Sequence, residues 1–187
     1  MTSCPSELRF WCTPNNQGLP GVTLSELATL LTPLIGGGGK VAQVVTATLG
    51  SALASTNSIP VDDTIPQQTE GFEVLTATIT PTNASSVLII EAQTFAGNDS
   101  GNIFITGALF RDATADALAA SSVQAPNTGF KGLAFKAIVS AGSVAATTFK
   151  LRVGNDGVAE VTINGAVGSR FFGGVAATTL TITEVAP

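Results

Sequence analysis

From Val41 onward, apolar and polar residues alternate with a period of two, which is the pattern of strands with one buried and one wet face. Leu75, Ala77 and Ile79 alternate with Thr76, Thr78 and Thr80, and Leu88, Ile90 and Ala92 with Ile89, Glu91 and Gln93. Phe149, Leu151 and Val153 alternate with Lys150 and Arg152, Val161 and Ile163 with Glu160, Thr162 and Asn164, and Leu180 and Ile182 with Thr179, Thr181 and Thr183. The pattern predicts about eight or nine strands, at 41–48, 72–80, 87–95, 103–110, 118–123, 133–139, 147–153, 159–164 and 178–185. Pro81-Thr82-Asn83, Asn98-Asp99-Ser100-Gly101, Pro126-Asn127-Thr128-Gly129, Ala141-Gly142, Asn155-Asp156-Gly157 and Asn164-Gly165 supply turn chemistry between them. Short strands at fairly even spacing predict an all-β, antiparallel jelly-roll sandwich over 41–187.

Two of these strands break the alternation. In 103–110, Ile103, Ile105 and Leu109 lie on one face and Phe104, Ala108 and Phe110 on the other. In 133–139, Leu133, Phe135 and Val139 oppose Ala134, Lys136 and Ile138. A strand of a two-sheet sandwich that is apolar on both faces needs a cover on its outer side, most simply a second subunit. Phe104, Phe110, Phe135 and Ile138 are the candidate residues of that interface.

Residues 1–40 differ in kind. Phe10 and Trp11 are large apolar groups in a segment too short to bury them alone. Thr23 precedes Glu26 by the spacing of a capping box, and Leu24, Leu27, Leu30 and Leu31 follow at helical spacing until Pro33 ends the run. A helix of this length is not stable alone in water, so its leucine stripe must pack on its own β domain, on identical helices or on a partner. Gly36 to Gly39 with Lys40 reads as a hinge. Leu34 and Val41 stand where a phosphate loop requires glycine and a hydroxyl residue. The expected organisation is an N-terminal anchor over 1–40, with contacts through Phe10, Trp11, Leu24, Leu27, Leu30 and Leu31, and a β head over 41–187.

Composition narrows the chemistry. The chain has no histidine and no tyrosine. It therefore lacks the commonest general base and metal ligand, and a serine or cysteine nucleophile has no His partner. Asp62 and Asp63 adjoin on extended chain, where neighbouring side chains point apart, so they do not form a pair of catalytic carboxylates. Asn98-Asp99-Ser100-Gly101-Asn102 is rich in oxygen but lacks the repeated carboxylates of a calcium loop. Cys4 and Cys12 read as free thiols or a local disulfide, and without His they make a poor zinc site. With a net charge of −5 and eight dispersed Lys and Arg residues, nothing resembles a nucleic-acid footprint. No window is long and apolar enough for a membrane helix, and the start lacks the pattern of a signal peptide. The expectation is a structural or binding protein, not an enzyme, with no cofactor and no metal.

Five strings together resemble a head domain of tailed-phage and prophage structural proteins. They are Ile59-Pro60-Val61-Asp62-Asp63-Thr64-Ile65-Pro66-Gln67, Glu70-Gly71, Ala108-Leu109-Phe110-Arg111-Asp112, Gly168-Ser169-Arg170-Phe171-Phe172-Gly173-Gly174 and Leu180-Thr181-Ile182-Thr183-Glu184. The resemblance covers about 41–187 and implies a homotrimeric jelly roll displayed on virions, as a capsid decoration or at a fibre tip. It implies other virion proteins as partners and assembly in the host cytoplasm. The chain has neither the heptads nor the collagen-like repeats of a long fibre shaft. The short anchor favours decoration of the particle, and the alternative is a receptor-binding tip that recognises a host-surface glycan or protein. A cellular lectin-like module shares the fold class but not the aromatic platform.

Overall fold

The computed structural model describes residues 39–187. The expected helix, the Gly36–Gly38 part of the hinge, the two cysteines and all six anchor residues lie outside the described residues.

The strands are β1 (Val41–Leu49), β2 (Leu53–Ser55), β3 (Phe72–Ile79), β4 (Val87–Asn98), β5 (Ile103–Arg111), β6 (Ala119–Ala125), β7 (Phe130–Ser140), β8 (Thr147–Asn155), β9 (Val161–Ile163), β10 (Gly165–Ala166), β11 (Ser169–Arg170) and β12 (Thr178–Val185). A 3-10 turn, Phe172–Gly174, precedes β12. The long strands build two antiparallel sheets. One runs β3-β8-β5-β6. The other runs β1-β12-β4-β7, with β9 and β2 continuing beyond β12 on the same edge of β4. Eight long strands divided four and four between two sheets in these orders make a jelly roll.

The core is the space between the sheets. Leu88, Ile90, Leu180 and Ile182 from one sheet meet Ile105, Leu109, Phe149 and Leu151 from the other, all fully buried. Each such side chain contributes about 1.5–3 kcal/mol of transfer free energy. Threonines and charged residues alternate with them and face outward, as the period of two requires. Gly107 makes room for Phe135 from the opposite sheet. A Cβ at residue 107 would lie 2.8 Å from that ring.

The outer face of β3-β8-β5-β6 is covered by the chain itself. Residues 56–71, between β2 and β3, run out along it and back. Ile59 N–H donates to the Asn155 carbonyl (2.8 Å), Gln68 N–H to the Ala115 carbonyl (2.8 Å) and Gly71 N–H to the Ser58 carbonyl (2.7 Å). Arg152 on β8 donates to the Glu70 and Gly71 carbonyls (2.7 and 2.8 Å), and Lys150 donates to the Gln68 side chain (3.0 Å). The strap approaches so closely at Gly154 that a Cβ there would lie 2.6 Å from the Ile59 nitrogen.

This arrangement corrects one sequence expectation. β5 is apolar on both faces because Ala108 and Phe110, on its outer face, are sealed under Ile59 and Ala117 of the same chain. Phe110 is fully buried within the protomer and is not an interface residue.

Candidate functional site

Antiparallel register places outward-facing residues of β1, β12, β4 and β7 in rows across their sheet. One row is Val44, Thr183, Ile89 and Ile138. The next is Thr46, Thr181, Glu91 and Lys136, and the third is Thr48, Thr179, Gln93 and Ala134. Phe95 then stands opposite Gly132, and Phe130 opposite Gly97. The face is built of threonine, small residues and apolar side chains. Its charges in these rows, Glu91 and Lys136, sit directly across from each other, a favourable cross-strand pair. Val44 is 56% exposed and Ile138 is 60% exposed. A shallow concavity of about 530 Å³ lies at its centre, bordered by Glu91, Gln93, Lys136, Thr179 and Thr181.

The four interface residues expected from sequence do not share a surface. Ile138 lies on this open face. Phe135 points the other way and packs half-buried on the core. Phe104 is 36% exposed on the outer side of the opposite sheet, and Phe110 is buried beneath the strap. The residues that sequence reasoning left out are Val44, Ile89 and the outward threonines of β12, which it read only as a wet face.

Buried polar residues hold the two ends of the face. Near the start of β1, Glu184 of β12 is buried. It accepts hydrogen bonds from Gln43 Nε2 (2.7 Å), Thr82 N–H (2.9 Å) and the Thr82 hydroxyl (2.8 Å). Burial alone would raise its pKa. Hydrogen bonds from Gln43 and Thr82 outweigh that and lower it to about 2. At the far end, Asn164 is buried with φ +58°, a backbone conformation asparagine tolerates. Its Nδ2 donates to the Leu49 and Ser51 carbonyls (2.7 and 2.9 Å), and its Oδ1 accepts from the Thr178 hydroxyl (3.0 Å). Its carbonyl accepts the Phe171 N–H (2.9 Å).

That bond fixes a loop bearing Phe171 and Phe172 beside Phe95 and Phe130. Ring centroids are 4.8 Å apart for Phe95–Phe130, 5.5 Å for Phe130–Phe171 and 6.0 Å for Phe95–Phe172, and the last two pairs meet edge to face. Phe130 is 44% exposed and Phe172 is 63% exposed.

The other sequence candidates act locally. Asp62 accepts from the backbone N–H (2.9 Å) and the hydroxyl of Thr64, and these bonds lower its pKa. In the oxygen-rich loop, Asp99 accepts the Glu160 N–H (2.9 Å) and Asn102 accepts the Asn127 N–H (3.1 Å). Among the described residues, no three His, Cys, Asp or Glu side chains cluster as a metal site would.

The fold and its open face thus define a jelly-roll head. The family model of the Pgp3 C-terminal domain matches residues 51–187. The chain belongs to this family. No curated protein matches it. Among solved structures, an Eiger TNF from S. frugiperda is similar at 11% identity and a TM-score of 0.45, over 79% of this chain and 94% of that one. The VP2 subviral particle of infectious bursal disease virus is similar at 13% identity and a TM-score of 0.36, over 79% of this chain but only 38% of that one. The CBM22-1 xylan-binding domain of Paenibacillus barcinonensis Xyn10C is similar at 10% identity and a TM-score of 0.34, over 80% of this chain and 97% of that one.

Proposed function

We propose that this chain is a non-enzymatic structural protein of a tailed-phage virion surface, a homotrimer of jelly-roll heads joined through the open face of β1-β12-β4-β7. The N-terminal segment holds the trimer to the particle as a capsid decoration or short appendage, and assembly takes place in the host cytoplasm. The observation that carries this reading is the composition of the open face. It pairs exposed aliphatic side chains, Val44 and Ile138, with threonines and one opposed charge pair. An exposed patch rich in apolar side chains and poor in charge is the mark of a protein interface. A catalytic cleft would instead converge titratable groups. Three copies, rather than two, follow from the resemblance of the five strings above, and the virion setting follows from the same source.

Quantifying this chain in purified particles tests the proposal. A decoration protein is present in many copies and is lost when its gene is deleted, while the particle remains assembled. Absence from purified particles contradicts the reading. A few copies confined to a tail tip shifts it to a receptor-binding fibre end.

A further inference from the structure

We infer that the aromatic end of the open face, formed by Phe95, Phe130, Phe171 and Phe172, packs against the equivalent rings of neighbouring copies and closes the far end of the oligomer. This rests on the proposal that the open face is where copies meet. It adds a specific contact, made by a loop outside the sheet.

Continuity with that face is the first argument. Phe95 and Phe130 occupy its last two rows, opposite Gly132 and Gly97, and extend the same surface. The chemistry of the cluster is the second. It consists of phenyl rings alone, and no ring carries a polar atom. A sugar or small polar ligand is oriented by a few convergent hydrogen-bonding groups. Phenyl rings instead complement other rings, in the edge-to-face geometry that Phe95–Phe172 and Phe130–Phe171 already show within one copy.

The backbone gives the third argument. Phe172 sits at φ +51°, followed by Gly173 at +62° and Gly174 at +97°. A left-handed conformation is strained for a bulky residue. Here it holds a phenyl ring that stays 63% exposed and meets only the Phe95 and Phe171 rings within one copy. The buried Asn164 network fixes that loop from beneath through the Phe171 N–H. The chain thus holds an exposed apolar ring rigidly in place, and burial against a second copy would compensate for the strain.

The test is sedimentation of the full-length chain, wild type against Phe172→Asn, Ile138→Lys and Val61→Asp. Asparagine tolerates the left-handed backbone, so Phe172→Asn removes the ring without adding strain, and its circular dichroism and thermal midpoint should match wild type. Val61 is 53% exposed on the strap, away from the open face, and serves as the control. The expected result is an assembled wild type, unchanged Val61→Asp, and at least tenfold weaker self-association for Phe172→Asn. If Ile138→Lys dissociates while Phe172→Asn and Phe130→Asn both assemble like wild type, the aromatic contact is overturned and the open-face interface stands. A wild type that never assembles overturns both.

Discussion

On one side of the sandwich, residues 56–71 lie over β5 and β8 and bury Phe110 completely. On the other, the outward side chains of β1, β12, β4 and β7 leave Val44 and Ile138 more than half exposed. Each sheet is built on four long antiparallel strands, so the contrast is not one of architecture. It lies in what the chain does with an apolar outer face. Where the cover belongs to the same polypeptide, arginine and lysine reach out to hold it, as Arg152 and Lys150 do. Where the described residues provide no cover, the face carries little charge and combines threonines with exposed aliphatic side chains, the character of a patch suited to cover from outside.

The largest expected effect breaks the covered side. Phe110→Ala removes a fully buried ring beneath the strap and should cost about 3–5 kcal/mol, read as a lower denaturation midpoint in urea. A midpoint within experimental error of wild type would mean the strap is loosely held. Next, Ile138→Lys places a charge among the exposed aliphatic side chains of the open face. It should dissociate the oligomer while leaving circular dichroism unchanged, since Ile138 is 60% exposed in a single copy.

A smaller, pH-dependent effect concerns the edge of the open face. Glu184 links β1 to the turn before β4, and its pKa is lowered from 4.5 to about 2. A carboxylate with a depressed folded-state pKa contributes stability that is present above 4.5 and is lost as pH falls from there toward 2. Stability should therefore decline over that acid window, and Glu184→Gln should flatten the decline. An unchanged acid limb in Glu184→Gln would remove this carboxylate from the account. Smallest of all, Asp62→Asn should leave both the assembled mass and any hydrolytic assay on host glycans at the wild-type level, because its carboxylate only caps Thr64. Loss of a measurable hydrolysis would make the residue catalytic.

Sequence and structure agree where burial follows a simple period. β3, β4, β8 and β12 were legible because Leu75 to Thr80, Leu88 to Gln93, Phe149 to Val153 and Thr179 to Thr183 alternate without interruption. β2, β10 and β11 were not, since two or three residues contain too little period to see. The doubly apolar character of β5 was legible, but its cause was not. A strap that begins fifty residues earlier in the chain can cover a strand as well as a second subunit can, and local pattern does not separate the two. Phe130 fell just outside the expected strand at 133–139, and Phe171 and Phe172 were seen only as part of a string. Their convergence with Phe95 depends on the Asn164 side chain and carbonyl, whose partners Leu49, Ser51, Thr178 and Phe171 are brought together only by the tertiary fold.

The central claim is that the open face of β1-β12-β4-β7 joins copies of this chain. Sedimentation equilibrium of the full-length protein at micromolar concentration tests it most directly. The account predicts three times the 18.8 kDa chain mass, falling to 18.8 kDa in Ile138→Lys. A wild type at 18.8 kDa would show that the face is left bare or is covered by the chain's own first forty residues, and would contradict the account.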